Sequence, residues 1–192
     1  MTLFDLVEKN RSRRRFKQDK HIEIEILREL ISLARLCPSG ANMQPLKYIL
    51  INSPDKNALV FKHLSWAGYI PNWVGPEDGE RPSAYIVILG DTTIRKDFGV
   101  DPGIAAQTIM LGAVEKGLGG CIIASINKNN LASDLSIPSQ FEILLVLALG
   151  IPNEEVMITP VDQSGDIKYW RDENIIHYVP KRSLNELIVE IP

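Results

Sequence analysis

Two short runs hold residue types that could do chemistry together. Asn10-Arg11-Ser12-Arg13-Arg14-Arg15-Phe16 concentrates four arginines and a hydroxyl. Cys37-Pro38-Ser39-Gly40-Ala41-Asn42-Met43-Gln44-Pro45 is a run of small and amide residues. Guanidinium forks match phosphate oxygens two hydrogen bonds at a time, and Gly, Ser and Asn let a backbone approach a flat polar ligand closely. Together the runs point to a site for a phosphorylated, planar cofactor. Taken alone, the arginine run reads as a solvated basic face, but such a face needs neither Ser12 nor Phe16.

The other chemistry-bearing residues give weaker signals. Gly117-Leu118-Gly119-Gly120 follows a helical pattern and precedes a strand-like one, the reverse of the order in a dinucleotide-binding turn. Gly117 is explained as a residue just past a helix end. Gly119 and Gly120 exceed what a cap needs, so they serve either packing or backbone contact with a ligand. His21, His63 and His177 are scattered without metal-ligand spacing, and each reads as a surface or structural residue. Cys121 opens an apolar run and reads as a small core residue, whereas Cys37 lies against a proline at a helix end. No nucleophile elbow, phosphate-binding P-loop or zincin motif is present. The chemistry must then come from a cofactor.

These runs need elements to position them. Thr2, with Asp5 three residues on, predicts a capped helix to about Lys9. Ile26, Leu27, Leu30, Ile31 and Ala34 recur at helical spacing and predict a helix over 22–36, stopped by Pro38 and Gly40. Leu46 to Ile51 reads as a buried strand and Asp55 to Leu64 as a helix after Ser53-Pro54. Ser65 to Pro82 has no period and reads as a long ordered loop carrying Trp66, Tyr69 and Trp73. These aromatics either stack on a planar substrate or close the core. Ala84 to Leu89 is strand-like, and Asp101-Pro102 caps and opens a nearly all-apolar helix ending at Gly117. Cys121–Ile126 and Glu142–Leu149 read as strands around a short helix at 130–135, and the tail after Ile151 carries no clear pattern. Helices and strands interleave without regular βαβ spacing, which favours an α+β layered fold.

Composition narrows the function. The 192 residues suit one domain, 1–192, with a substantial core. A net charge of −3 makes the basic run a local feature on an acidic body and argues against nucleic-acid binding. Two cysteines in unlike contexts form no disulfide framework, which fits a reducing compartment. No stretch is apolar enough to span a bilayer and the first residues lack a signal-peptide core. The expectation is a cytoplasmic protein without membrane contact.

In combination the motifs resemble the nitroreductase family of flavoproteins. The family opening Arg-Arg-Ser-x-Arg-x-Phe is matched at 10–16, with Asn10 in place of the first arginine. Pro-Ser-x-x-Asn-x-Gln-Pro is matched at Pro38–Pro45, with Leu46 where a tryptophan is common. A helix like Asp101–Lys116, then Gly117-Leu118-Gly119, then Leu149-Gly150-Ile151-Pro152 and the basic pair Lys181-Arg182 complete the order. The resemblance implies an α+β fold with a central mixed sheet flanked by helices, in an obligate homodimer with two FMN sites at the subunit interface. It implies that Arg11 and Ser12 contact the FMN phosphate and ribityl chain, and that Arg14 reaches the pyrimidine edge of the flavin. With Asn10 in place of the first arginine, one phosphate contact is either missing or supplied by Arg13.

By the same resemblance, Pro38, Ser39, Gly40 and Asn42, with Gln44 beside them, come from the partner subunit. Gly119 and Gly120 lie beside the ring, with a backbone N–H near the flavin N5, while Lys181 and Arg182 complete the phosphate clamp. The implied activity is ping-pong hydride transfer from NADH or NADPH through FMN to a small planar acceptor of nitroaromatic or quinone type. A flavin reductase, a flavin-consuming enzyme or a non-catalytic flavin-binding protein remains open on the same scaffold. Trp66, Tyr69 and Trp73 are the candidate substrate contacts.

Overall fold

A computed structural model describes residues 1–191. Four strands form the central sheet: β1 (Leu46–Ile51), β2 (Ala84–Asp91), β3 (Gly119–Ile123) and β4 (Phe141–Gly150), in spatial order β1-β2-β4-β3. Residues of β2 alternate between the two faces, as the pleat requires. Ala84, Ile86 and Ile88 enter one core and Tyr85, Val87 and Leu89 the other. With both faces covered, β2 reads as an unbroken apolar run and is buried along its whole length.

The first core lies under α2 (Ile24–Ala34) and α4 (Asp101–Glu115), where Leu27, Leu30 and Ala34 meet Ala105, Ala106 and Ile109. Gly112 permits this helix crossing, because a Cβ there would lie 2.4 Å from Leu33 Cδ1. The second core lies under α3 (Pro54–Phe61) and α5 (Lys128–Asp134), with Val60, Trp66, Cys121 and Leu131. Each fully buried Leu or Ile contributes about 1.5–3 kcal/mol, so the sheet and its two helical layers hold most of the fold's apolar stabilisation. α1 (Leu3–Lys9) has the expected capping box, in which Thr2 and Asp5 exchange side chain-to-backbone hydrogen bonds. A second sheet, in order β5-β7-β6, is formed by β5 (Val156–Pro160), β6 (Trp170–Arg171) and β7 (His177–Lys181), ahead of α6 (Leu184–Leu187).

The α+β layering is as the sequence implied, with four corrections. The central sheet is antiparallel at every strand pair rather than mixed. The long irregular stretch after α3 carries the chain back across the sheet, so β2 enters where β1 leaves, with Ile51 opposite Tyr85. Among the described residues, parallel pairing is confined to β5 with β7 and to a single bridge between Ser12 and Gly120. β1 is half-buried rather than buried, because it is an edge strand. Asp101 lies inside the first turn of α4 and does not cap it, since its carboxylate is held by other donors. The tail without a sequence pattern supplies the whole second sheet.

Candidate active-site groove

The arginine run is pinned as an extended strip along the free edge of β3. Arg13 N donates to Gly120 O at 2.9 Å. Phe16 is its anchor: it is fully buried and packs on Gly150, where a Cβ would lie 2.7 Å from the Phe16 ring. Their partners divide the four guanidiniums. Arg13 Nη1 donates to Glu154 O at 2.5 Å, and Arg15 grips Glu80 with two bonds of 2.6 and 2.5 Å. Both are spent on the fold. Arg13 lines none of the three cavities described next, and Asn10 donates to Gln107 Oε1 at 3.3 Å.

Arg11 and Arg14 face a groove of three neighbouring cavities. One, of about 220 Å³, is lined by Arg11, Ser12, Arg14, Tyr169, His177 and Lys181. A second, of about 90 Å³, shares Arg11 and Ser12 and reaches Gly120 and Gln107. A third, of about 230 Å³, runs from Arg14 and Tyr169 past Trp66 and Ala67 to Ser125. Arg11 donates Nη2 to Val7 O at 2.7 Å, but its Nε is buried with no partner. Burial holds this guanidinium below its ordinary pKa. An orphaned buried donor of this kind calls for an acceptor, and the hydroxyl of Ser12 and the ammonium of Lys181 line the same cavity. The residues present fit an anionic phosphate.

Arg14 is held from three sides. Its Nη1 donates to Ser12 O at 3.3 Å and lies 3.2 Å from His177 Nε2, while its guanidinium sits 5.0 Å over the Tyr169 ring. His177 is 1% exposed. Burial first, then the cations of Arg14 and Arg171, lower its pKa from 6.5 to about 4. The imidazole is therefore neutral near pH 7 and accepts at Nε2, which places its proton on Nδ1. Behind Arg14, Glu154 accepts from the Arg14 and Arg15 amides and pairs with Arg171 at 3.1 Å.

The glycine pair has a packing reason. A Cβ on Gly119 would meet Pro152 and Arg13 at 2.7 and 2.8 Å, and one on Gly120 would meet Ala148 O at 2.0 Å. Gly120 also lines the groove, whereas Gly119 lies beneath Arg13. Cys121 is a core thiol, pushed up to about 12 by burial. Lys181 lies in the groove, but Arg182 pairs with Glu186 at 3.4 Å. Of the aromatics, Trp66 lines the third cavity and Tyr69 packs on Tyr169 with the rings tilted and their centroids 5.0 Å apart. Trp73 lies under the Arg171 guanidinium at 4.2 Å and lines none of the three cavities.

The Pro38–Pro45 run lies elsewhere on the same chain. Pro38, Ser39 and Gln44 line a separate cavity of about 270 Å³ beside Tyr48 and Ala105. Ser39 Oγ and Gly40 N donate to Asp101 at 2.6 and 3.0 Å, and these bonds hold the Asp101 carboxyl below its usual pKa, with Ser39 the larger cause. Ala41, Asn42 and Gln44 all have φ near +50°, the left-handed region that non-glycine residues seldom occupy. Three such residues in a four-residue stretch store strain at the kind of place where functional sites do.

Sequence reasoning missed Glu154, Tyr169 and His177, which all come from the unpatterned tail. The β-prone run Ile175–Val179 was the one signal for β7, and with it for His177.

Known proteins resemble this chain in sequence and fold. A 5,6-dimethylbenzimidazole synthase of Rhodospirillum rubrum is 22% identical over 185 residues, covering 83% of this chain and 86% of that protein. An Archaeoglobus fulgidus protein whose name carries NADH dehydrogenase/NAD(P)H nitroreductase is 26% identical over 149 residues, covering 73% and 80%. An FMN-dependent nitroreductase of Clostridium difficile superposes with a TM-score of 0.66 at 25% identity, covering 80% and 89%. The nitroreductase family model matches residues 7–72 and 80–151. These two segments hold the arginine strip, the Pro38–Pro45 run, the glycine pair and the core strands, so the chain belongs to the nitroreductase family.

Proposed function

We propose that the chain is an FMN-dependent oxidoreductase, a single FMN-binding domain that passes hydride from NADH or NADPH to a small planar acceptor by a ping-pong cycle. The observation that carries this reading is the anion-ready end of the groove, where the unpartnered Nε of Arg11 meets Ser12 and Lys181. FMN, when bound, supplies two-electron acceptance and donation at its ring. The chain's residues do the rest. Arg11, Ser12 and Lys181 hold the phosphate. Arg14, unable to swing away from Ser12 O, His177 and Tyr169, keeps a fixed positive charge where negative charge develops, which is the preorganised form of electrostatic stabilisation. Neutral His177 steadies Arg14 without competing with it as a second cation. Trp66 and Ala67 bound the end of the groove where a planar nitroaromatic or quinone would lie.

The site is completed, in this reading, by the Pro38–Gln44 run of a second copy in a homodimer. Two features support that: the run lines a cavity separate from the groove of its own chain, and its strained backbone leaves Met43 and Asn42 exposed. A fluorescence titration of FMN into apoprotein is the test. Arg11→Ala is expected to weaken binding about 10- to 100-fold, the worth of a hydrogen bond to a charged group. Unchanged affinity would remove Arg11 from the phosphate site.

A further inference from the structure

A cavity of about 510 Å³ beside α3 is not part of the groove. It opens between the loop at Gln18–His21, the start of α3 and the segment that enters β2. Its volume falls within the range of small-molecule sites. Three of its lining residues, Asn57, Arg81 and Tyr85, each carry a buried polar atom with no partner: Asn57 Oδ1, Arg81 Nε and the Tyr85 hydroxyl. Tyr85 is 0% exposed, and burial raises its phenol well above the ordinary value. Buried polar groups are nearly always bonded, so three orphans around one cavity are a set of unmet demands. Phe61 adds an aromatic face, with the Arg81 guanidinium 4.4 Å above its ring. Asp19, Asp55 and Asp78 stand at the exposed rim.

We infer that this cavity is a second ligand site, taking an uncharged planar heteroaromatic of nucleobase type. Asn57 Oδ1 accepts from an exocyclic amine, Arg81 Nε donates to a ring nitrogen or carbonyl, and the Tyr85 hydroxyl bonds the same edge. Phe61 carries the ring face, and Asp19 and Asp55 at the rim repel phosphorylated relatives, while Asp78 offsets the Arg81 cation at 4.0 Å. The site stands back to back with the groove: Phe61 packs against Trp66, with ring centroids 5.6 Å apart, and Trp66 lines the groove's third cavity. Occupancy of one site is thus transmitted to the wall of the other.

The test is calorimetric titration of the purified protein with adenosine and, separately, with AMP, while following tryptophan emission. Adenosine is expected to bind at one per chain and to perturb the emission, with AMP at least tenfold weaker. Tyr85→Phe removes a hydroxyl that has no partner within the protein, so it is expected to leave melting temperature unchanged or raised while weakening adenosine about tenfold. Arg81→Met, which keeps the stem over Phe61, is expected to weaken it similarly and covers the case in which Tyr85→Phe folds poorly. Absence of saturable adenosine binding, AMP binding as tightly, or equal affinity in both variants would overturn the proposal and leave the cavity to ordered water. None of these readouts depends on flavin.

Discussion

Arg14 and His177 show how one side chain sets the state of another. Burial of the ring, and then the guanidinium against Nε2, keep the imidazole uncharged, with its pKa at about 4 against 6.5 when unfolded. Between pH 6.5 and 4 the unfolded chain binds a proton that the folded chain does not, so stability is present above pH 6.5 and falls as pH drops toward 4. Melting temperature measured from pH 7 to pH 4 is expected to decline through that window, and His177→Gln is expected to flatten the decline. An unaltered slope in the variant would place the acid sensitivity elsewhere. Arg11 was a candidate from the sequence, and it lines the groove. The division of labour within the run was not legible there, because which arginine meets Glu154 or Glu80 is decided by partners 65 and more positions away.

Elements explain why the site residues cannot be read independently. Asp101 lies in the first turn of α4 and holds the Pro38–Gln44 run through Ser39 and Gly40, so a helix start sets the geometry of a strained loop. Asp101→Ala removes two bonds to a charged acceptor and is expected to cost about 2–4 kcal/mol, measured by urea unfolding, and to reduce flavin retention. A variant with unchanged stability would show that the strain is held by other contacts. Gly120→Ala drives a methyl into the Ala148 carbonyl of β4, and is expected to destabilise by about 3 kcal/mol in the same assay. Most elements were legible in the sequence because their periodicity is strong. α2 has its buried stripe at Leu27, Leu30 and Ala34, and β2 is bounded by Pro82 and the residues after Gly90. The second sheet was not legible: β6 is two residues long, and β5 pairs in parallel with β7 across a 16-residue interval of turns. Pairing over such a distance leaves no local period.

At the scale of the molecule, a covered antiparallel sheet presents one edge, that of β3, to the arginine strip, and leaves β1 as the other edge. Apolar side chains remain exposed at both termini, among them Phe4, Leu184, Leu187, Val189 and Ile191. These groups are available to the second copy of the proposed homodimer. Sedimentation equilibrium is expected to give twice the chain mass of 21.5 kDa; a monomer retaining flavin would contradict completion of the site by a second copy.

The central claim is that the groove holds a flavin that exchanges electrons with a nicotinamide. The most direct measurement is the visible absorption spectrum of FMN-loaded protein, recorded anaerobically before and after addition of NADH and then of NADPH. Flavin bands that bleach with one or both donors and return on adding a quinone are the expected result. Protein that takes up no FMN, or bands that persist with both donors, would contradict the account.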